Sequence, residues 1–229
     1  MLSLFGGPSF SIRLSSRMLL LQIVEQFLTV LKQTTLLEYI AVFSGIASVW
    51  FSKKENILVY PVGLVNTIVY TWLSFKLHLI GEATVNFYYT VVSIWGWILW
   101  ARRDTRQQPV LHITFSNRIQ WLQQLLFFTG LYVVIFLALT YLKKAFYPGA
   151  IPWADAFASA TAFTGMWLMA KKKVESWWWW IATNIASIPL YFVKGLMFTS
   201  FYYLVLLVLA VSGLREWQQK ANPTPNFAA

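Results

Sequence analysis

The chain contains no cysteine and only two histidines, His78 and His112, among its 229 residues. Disulfides, thiolate nucleophiles, iron–sulfur clusters and cysteine-bound zinc are therefore excluded. Both histidines fall in predicted loops, so neither a histidine metal site nor a cofactor is expected. Charged residues are also scarce: they make up 11% of the chain, against about 25% in soluble domains.

Apolar and aromatic residues fill the chain instead, at 58% and 18%. A water-soluble protein of this length cannot bury so much apolar surface, so lipid must be its main solvent. Backbone hydrogen bonds have to be satisfied within each segment in lipid, which favours helices. Seven apolar stretches have about the length that crosses a bilayer. They are residues 36–51, 57–75, 82–100, 121–142, 152–170, 177–193 and 198–214.

The two ends of the chain differ from this central part. Residues 1–35 hold apolar side chains at helical spacing, which predicts an amphipathic helix on the membrane surface rather than a cleaved signal, since no small-residue cleavage site follows. Residues 218–229, with Pro223 and Pro225, are predicted to be a disordered tail.

The net charge of +10 would suggest a nucleic-acid partner in a soluble protein. Here the basic residues flank apolar spans, so no nucleic acid is expected and the charges set topology. Successive connectors lie on alternate sides of the membrane, and eleven lysines and arginines lie in the connectors of one side against four in those of the other. The richer set predicts the cytoplasmic side of a bacterial inner membrane, with the C-terminus inside. It comprises Lys53, Lys54, Arg102, Arg103, Arg106, Arg118, Lys171, Lys172, Lys173, Arg215 and Lys220.

An internal repeat relates spans one to three to spans five to seven, with span four as a connector. The predicted fold is all-α and polytopic, with two parallel three-helix units at 36–101 and 152–217 and a loop and linker helix at 102–151. Similar residues recur at nearly constant offsets: Trp50 with Trp167 and Gly96 with Gly213 at 117, Asn66 with Asn184 at 118, and residues 86–89 with 200–203 at 114. Transporters commonly hold substrate between such repeats.

Two mid-span asparagines, Asn66 and Asn184, are the leading candidates for a substrate site, because polar groups at this depth are costly. Interhelical hydrogen bonding is the alternative for them. One face of span six carries Trp177, Trp180, Asn184, Ser187 and Tyr191 at spacings of 3, 4, 3 and 4. Such a stripe suits a flat ring with a polar edge, although tryptophans near span ends also form interfacial belts. The predicted matching face of span two carries Val59, Val62, Asn66, Val69 and Leu73.

Weaker candidates lie nearer the predicted outer surface. Asn86, Tyr88 and Tyr89 on span three are candidates for lining the cavity. Glu38, Glu82 and Asp155 sit near outer span ends, where helix capping is favoured over an acidic mouth that attracts a cationic ligand. No carboxylate, histidine or lysine lies at mid-span in the sequence, which predicts passive, facilitated movement.

These residues resemble the PnuC family of bacterial nicotinamide riboside transporters. The resemblance covers about residues 34–220 and is carried by the Trp177, Trp180 and Asn184 spacing, by the segments 60–66 and 188–196, and by Gly213 to Trp217. It implies a fold similar to the SWEET sugar transporters, a homotrimer, and facilitated uptake of a small cationic vitamin for NAD synthesis. Trp178 and Trp179 extend the family motif to four tryptophans.

Other functions remain open at this stage. Related families with the same fold are built for other vitamins, and thiamine, also a cation, is the first alternative. A membrane-embedded enzyme would need convergent acids, histidines or metal ligands at one depth, which the sequence lacks. A purely structural subunit is disfavoured by the paired asparagines in mid-membrane. The protein is therefore expected to be a transporter and not an enzyme.

Overall fold

The computed structural model describes residues 36–76, 80–146 and 151–222. The predicted surface segment 1–35, residues 223–229 of the predicted tail, and the side chains of Glu38 and Glu82 lie outside this description. The seven predicted helices are confirmed. They are α1 (Leu36–Lys53), α2 (Val59–Lys76), α3 (Ile80–Ala101), α4 (Arg118–Phe146), α5 (Pro152–Ala170), α6 (Ser176–Val193) and α7 (Met197–Ala221).

The outer surface of the helices is apolar, as expected where lipid replaces water. On α4, for example, Ile119, Leu126 and Val134 are 64–69% exposed. Two stretches, Arg118–Tyr141 in α4 and Phe198–Ala221 in α7, are long and apolar enough to cross a bilayer by length and composition alone. The other helices carry more hydroxyl and amide side chains, many of them buried.

The helices of the two repeats form a closed ring. Helices α1, α2 and α3 pack in sequence, as do α5, α6 and α7, and the contacts α3 with α5 and α7 with α1 join the halves. Helices α2 and α6 therefore lie on opposite sides of the ring. The linker α4 lies outside the ring; it packs along α5 and also contacts Trp179 of α6 through Gln124 and Phe128. This confirms the predicted organisation of three helices, a linker and three helices.

The register between the repeats is 117 residues throughout. Helices α2 and α6 both start and end 117 residues apart, and α3 and α7 start 117 residues apart. This register pairs Asn66 with Thr183, and Thr67 with Asn184. The predicted equivalence of the two asparagines is therefore one residue out of register. The similarity of residues 86–89 to 200–203 is likewise displaced by three residues, close to one helical turn.

Helix α7 continues four residues into the segment predicted to be a disordered tail. Trp217 is fully buried, and its indole N–H donates to the carbonyl oxygen of Ser52 at 3.1 Å. Lys220 donates to the Glu55 carboxylate at 3.4 Å. These contacts with the end of α1 and the loop after it hold the last turn of α7 in helical form through Ala221.

Candidate functional site

The predicted stripe on α6 faces the interior of the ring. Trp177, Asn184 and Ser187 are only 1–2% exposed, and Trp180 and Tyr191 are half-buried. On the opposite face, Trp178 and Phe192 are each 52% exposed. The side chains chosen from helical spacing are therefore turned away from lipid and towards the neighbouring helices.

The inward face of α2 differs from the predicted one by a single residue. Its buried side chains include Tyr60, Thr67 and Ser74, spaced seven residues apart. At an offset of 117 they match Trp177, Asn184 and Tyr191 on α6. The prediction centred this face on Asn66, whose conspicuous amide set the register. The repeat therefore presents the Thr67 hydroxyl, rather than an amide, at the position equivalent to Asn184.

Asn66 is bonded to the neighbouring helix. Its Nδ2 donates to the carbonyl oxygen of Ala41 on α1 at 2.7 Å. A Cβ at Gly45 would lie 2.8 Å from that nitrogen, so the absence of a side chain there permits the approach. The equivalent Thr183 makes the same kind of contact, because its hydroxyl donates to Thr161 on α5 at 2.9 Å. The second N–H of Nδ2 and the Oδ1 of Asn66 are thus left for other partners.

Asn184 has the opposite character. The residue is 2% exposed, and its Oδ1 has no hydrogen-bond partner among the described residues. Leaving a buried carbonyl oxygen unpaired costs about 1–3 kcal/mol. A ligand that brings an N–H or O–H donor to this oxygen would recover that cost.

An aromatic wall lies beside Asn184, formed by α3, α5 and α6. Trp180 packs on Gly165, where a Cβ would be 3.3 Å from the indole. The ring of Tyr89 lies 6.3 Å from Trp180 and 6.0 Å from Phe163. Tyr88, a predicted site residue, packs against Phe163 at 4.4 Å. Tyr89 is, like Tyr88, one of the weaker candidates named from the sequence, whereas Phe163 was not predicted.

A second aromatic group lies towards the first repeat. Tyr191 of the predicted stripe stacks on Tyr203, with ring centroids 5.2 Å apart and planes 10° apart. Tyr202 approaches α1 at Gly45, where a Cβ would lie 2.6 Å from its hydroxyl. Tyr88 reaches α5 in a similar way, because its hydroxyl donates to the Phe163 carbonyl at 3.2 Å. In each repeat, therefore, a tyrosine on the third helix contacts the first helix of the other repeat.

Two of the remaining predicted residues lie towards the start of their helices. Asn86 is half-buried near the start of α3. Asp155 pairs with Lys194, and its Oδ2 accepts the Ile151 backbone N–H at 2.7 Å. This contact is of the helix-capping kind, and the nearby ammonium offsets the carboxylate charge.

Trp177 belongs to a buried aromatic layer at the end of the ring that carries the lysine- and arginine-rich loops, which we call the basic end. The layer consists of Tyr60, Trp100, Trp177 and Trp217, and we call it the closing layer. Tyr60 meets Trp100 edge-on at 5.2 Å, and Trp177 meets Trp217 edge-on at 5.5 Å. The rings of Trp100 and Trp217 are 6.1 Å apart across the two repeats. The Trp177 indole nitrogen and the Tyr60 hydroxyl have no hydrogen-bond partner among the described residues.

Buried polar contacts bind the loop before α4 to the second repeat. Glu175 accepts the backbone N–H and the hydroxyl of Ser116, each at 2.8 Å. Gln124 donates to the same hydroxyl at 2.8 Å and accepts the Trp179 indole N–H at 3.1 Å. Trp179 therefore contacts the linker helix α4 and does not line the interior of the ring.

The basic loops are partly desolvated where they meet this end of the ring. Burial, together with the positive charge of Lys173, lowers the pKa of Lys171. The Lys171 ammonium lies over the ring of Trp167, 4.2 Å from its centroid, where the π-face offsets part of the lost hydration.

Residues 35–219 match the family model described as nicotinamide mononucleotide transporter. The chain belongs to the nicotinamide mononucleotide transporter family. It is accordingly a multi-pass membrane transporter and not an enzyme.

Individual relatives agree with this assignment. The nicotinamide riboside transporter PnuC of Escherichia coli is 23% identical over 81% of this chain and 86% of its own length. The riboflavin/roseoflavin transporter RibM of Streptomyces davaonensis is 26% identical over 76% of this chain and 80% of its own. A crystal structure of the vitamin B3 transporter PnuC superposes with a TM-score of 0.62, at 23% identity, over 95% of this chain and 94% of that one.

Proposed function

We propose that this family member moves nicotinamide riboside across the membrane by facilitated diffusion. The observation that carries the proposal is the unpaired, buried Oδ1 of Asn184 beside an aromatic wall. Nicotinamide riboside has a flat cationic ring that bears a carboxamide. The carboxamide NH₂ would donate to Oδ1, and the pyridinium ring would lie against Trp180 and Tyr89, at about 0.5–2 kcal/mol per cation–π contact.

The other predicted residues have supporting roles in this proposal. Ser187 and Tyr191, on the same face of α6, are placed to meet the ribose hydroxyls. Thr67 on α2 supplies a hydroxyl from the opposite side of the ring, and Asn66 retains an Oδ1. Tyr88 positions the wall through Phe163, and Trp177 forms its floor. Asn86 and the acids at the outer end, Glu38, Glu82 and Asp155, would line the entrance.

Riboflavin is the second candidate, because a relative of similar identity is named as a riboflavin/roseoflavin transporter. Its tricyclic ring is neutral and larger than pyridinium, so it would gain less from the π-faces and need more space. The Asn184 carbonyl could equally accept its imide N–H. Thiamine, the cation considered from the sequence, has no support among these relatives.

Calorimetric titration of the purified protein with nicotinamide riboside, riboflavin and thiamine in parallel tests the proposal. We expect heat only from nicotinamide riboside, and at least tenfold weaker binding in Asn184→Ala, about 1.4 kcal/mol. Thr183→Ala, the neighbouring residue that bonds to α5, serves as the control and should change affinity less. Unchanged affinity in Asn184→Ala would refute the site, and preferential binding of riboflavin would refute the substrate.

The transport mode, location and assembly belong to the same proposal. Carboxylates, histidines and lysines at mid-span, which a proton relay usually needs, are absent from the sequence. Uptake into proteoliposomes should therefore proceed without a proton gradient; a requirement for one would contradict facilitated diffusion. We further propose a homotrimer in the bacterial inner membrane, with the basic loops and the C-terminus in the cytoplasm.

A further inference from the structure

Three contacts join residues that occupy equivalent positions in the two repeats, 117 residues apart. The Trp100 and Trp217 rings are 6.1 Å apart, the Ser52 hydroxyl donates to the Met169 sulfur at 2.9 Å, and Lys172 pairs with Glu55 at 2.7 Å. A residue can touch its own equivalent only near the axis that relates the repeats. The contacts therefore mark where this axis passes through the basic end of the ring.

The ion pair on this axis is built into an unusual backbone. Glu55 and Lys172 each follow a helix end by two residues and have φ angles of 60° and 50°. Residues other than glycine rarely adopt this left-handed conformation. The Lys172 side chain is also 5% exposed, with its ammonium 4.6 Å from the centre of the Trp100 ring. A buried ammonium needs a charged partner, and Glu55 provides it.

The closing layer lies across the same axis and is at most 3% exposed. Hydrogen bonds between repeats surround it: Trp217 donates to the Ser52 carbonyl at 3.1 Å, and Trp100 donates to the Ala170 carbonyl at 3.2 Å. Passage of a solute along the axis at this end requires Trp100 and Trp217 to separate. That movement would part the two repeats, which the ion pair joins through the α1–α2 and α5–α6 loops.

We propose that the Glu55–Lys172 pair is the latch of an inner gate. While the pair is closed, it holds the repeats together over the closing layer and the pathway is shut at the basic end. When the pair separates, Trp100 and Trp217 part and the pathway opens there. This inference rests on transport between the repeats, as proposed above, but not on the identity of the substrate.

The neighbouring ion pair between Lys54 and Glu216 provides a matched comparison. It joins the α1–α2 loop to α7 at 3.2 Å, and the Lys54 side chain is 49% exposed. Exposed pairs contribute little because water and salt screen them. Lys220 also faces Glu55, at 3.4 Å, and is 35% exposed. The buried Lys172 is therefore the cation whose loss should open the gate.

The absence of cysteine makes a single-cysteine labelling experiment possible. Ser93 is 3% exposed and lies two turns from Trp100 on the same face of α3, about 10 Å behind the closing layer. In proteoliposomes of Ser93→Cys, a membrane-impermeant maleimide is supplied on the side of the basic loops. We expect Lys172→Met to raise the labelling rate at least about fivefold, a usual size for coupled conformational equilibria.

Two further variants separate the latch from general destabilisation. Lys172→Arg keeps the charge and should label slowly, and Lys54→Met should match the Ser93→Cys parent. Equal rates in Lys172→Met and Lys172→Arg would overturn the proposal. If Lys172→Met lowers the thermal midpoint sharply, Glu55→Gln decides: fast labelling from the basic side supports the latch, and unchanged labelling refutes it. Loss of nicotinamide riboside binding alone would refute only the substrate.

Discussion

At the scale of single residues, the two asparagines that look alike in sequence do different work. The amide nitrogen of Asn66 donates a hydrogen bond to the Ala41 carbonyl, whereas the buried side-chain carbonyl oxygen of Asn184 accepts none among the described residues. The first contact stabilises the packing of α1 on α2. The second leaves a cost that a bound ligand can remove.

The Asn66→Ala variant should therefore change stability more than affinity. Interhelical hydrogen bonds in membranes contribute about 0.6 kcal/mol on average, so a modest fall in the thermal midpoint is expected. Thermal unfolding and calorimetric titration of Asn66→Ala and Asn184→Ala, measured side by side, check this. A larger loss of affinity in Asn66→Ala than in Asn184→Ala would contradict the division of roles.

Two equivalent glycines permit the closing layer to form. A Cβ at Gly96 would lie 2.5 Å from the Tyr60 hydroxyl, and one at Gly213 would lie 2.5 Å from the Trp177 ring. Gly96→Ala and Gly213→Ala should each lower the free energy of unfolding by about 1–3 kcal/mol, because buried rings would have to move.

The matched control for these variants is Gly130→Ala. Gly130 lies on α4, where an added Cβ meets nothing within 4 Å. Alanine is about 1 kcal/mol more favourable than glycine in a helix interior, so this variant should be neutral or stabilising. Thermal denaturation in detergent compares the three proteins, and an equal effect of all three substitutions would contradict the close packing.

At the scale of helices, the existence and order of the elements followed from the sequence. Long apolar runs separated by charged connectors permit few alternatives in lipid. The register did not follow, because Asn66 and Asn184 were aligned by chemical identity. Thr67 has no such conspicuous side chain, and its equivalence to Asn184 follows from the helix bounds and from its burial.

The closing layer was also beyond sequence analysis. Tryptophans near span ends are typical of the interfacial belt, and Trp100, Trp177 and Trp217 fit that description. Their burial depends on α3 and α7 meeting across the ring, which is tertiary information. The stripe of α6 was predictable because Trp177, Trp180 and Asn184 share one face within a single helix.

The docking of the linker leads to a prediction at this scale. Glu175 is 4% exposed and accepts two hydrogen bonds from Ser116. Because each bond to a charged group contributes about 1.5–3 kcal/mol, Glu175→Ala should destabilise the protein by at least about 1.5 kcal/mol. Gln123→Ala, an exposed neighbour on α4, is the control. The prediction fails if both variants unfold at the same temperature.

At the scale of the whole molecule, the basic loops lie together at one end. Contacts such as Lys173 with Thr114 at 2.9 Å and Lys172 with Glu55 join loops that are distant in sequence. Under the positive-inside rule, their excess of lysine and arginine supports the proposal that this end faces the cytoplasm. The opposite end carries the Asp155–Lys194 pair.

This orientation can be measured with single cysteines. Thr105→Cys lies in the exposed loop before α4, at the basic end, and Lys76→Cys lies at the end of α2, at the other. In intact cells an impermeant maleimide should label Lys76→Cys, whereas Thr105→Cys should react only after permeabilisation. The reverse pattern would place the C-terminus outside.

The ion pair on the axis also bears on how a duplicated protein can arise. In an assembly of two identical three-helix halves, each residue on the axis meets its own copy. Two tryptophans tolerate such a meeting, but two glutamates or two lysines, desolvated at contact distance, repel each other. Glu55 facing Lys172 therefore requires halves with different sequences. A single chain with two unlike halves can hold such a pair on the axis, whereas two identical halves cannot.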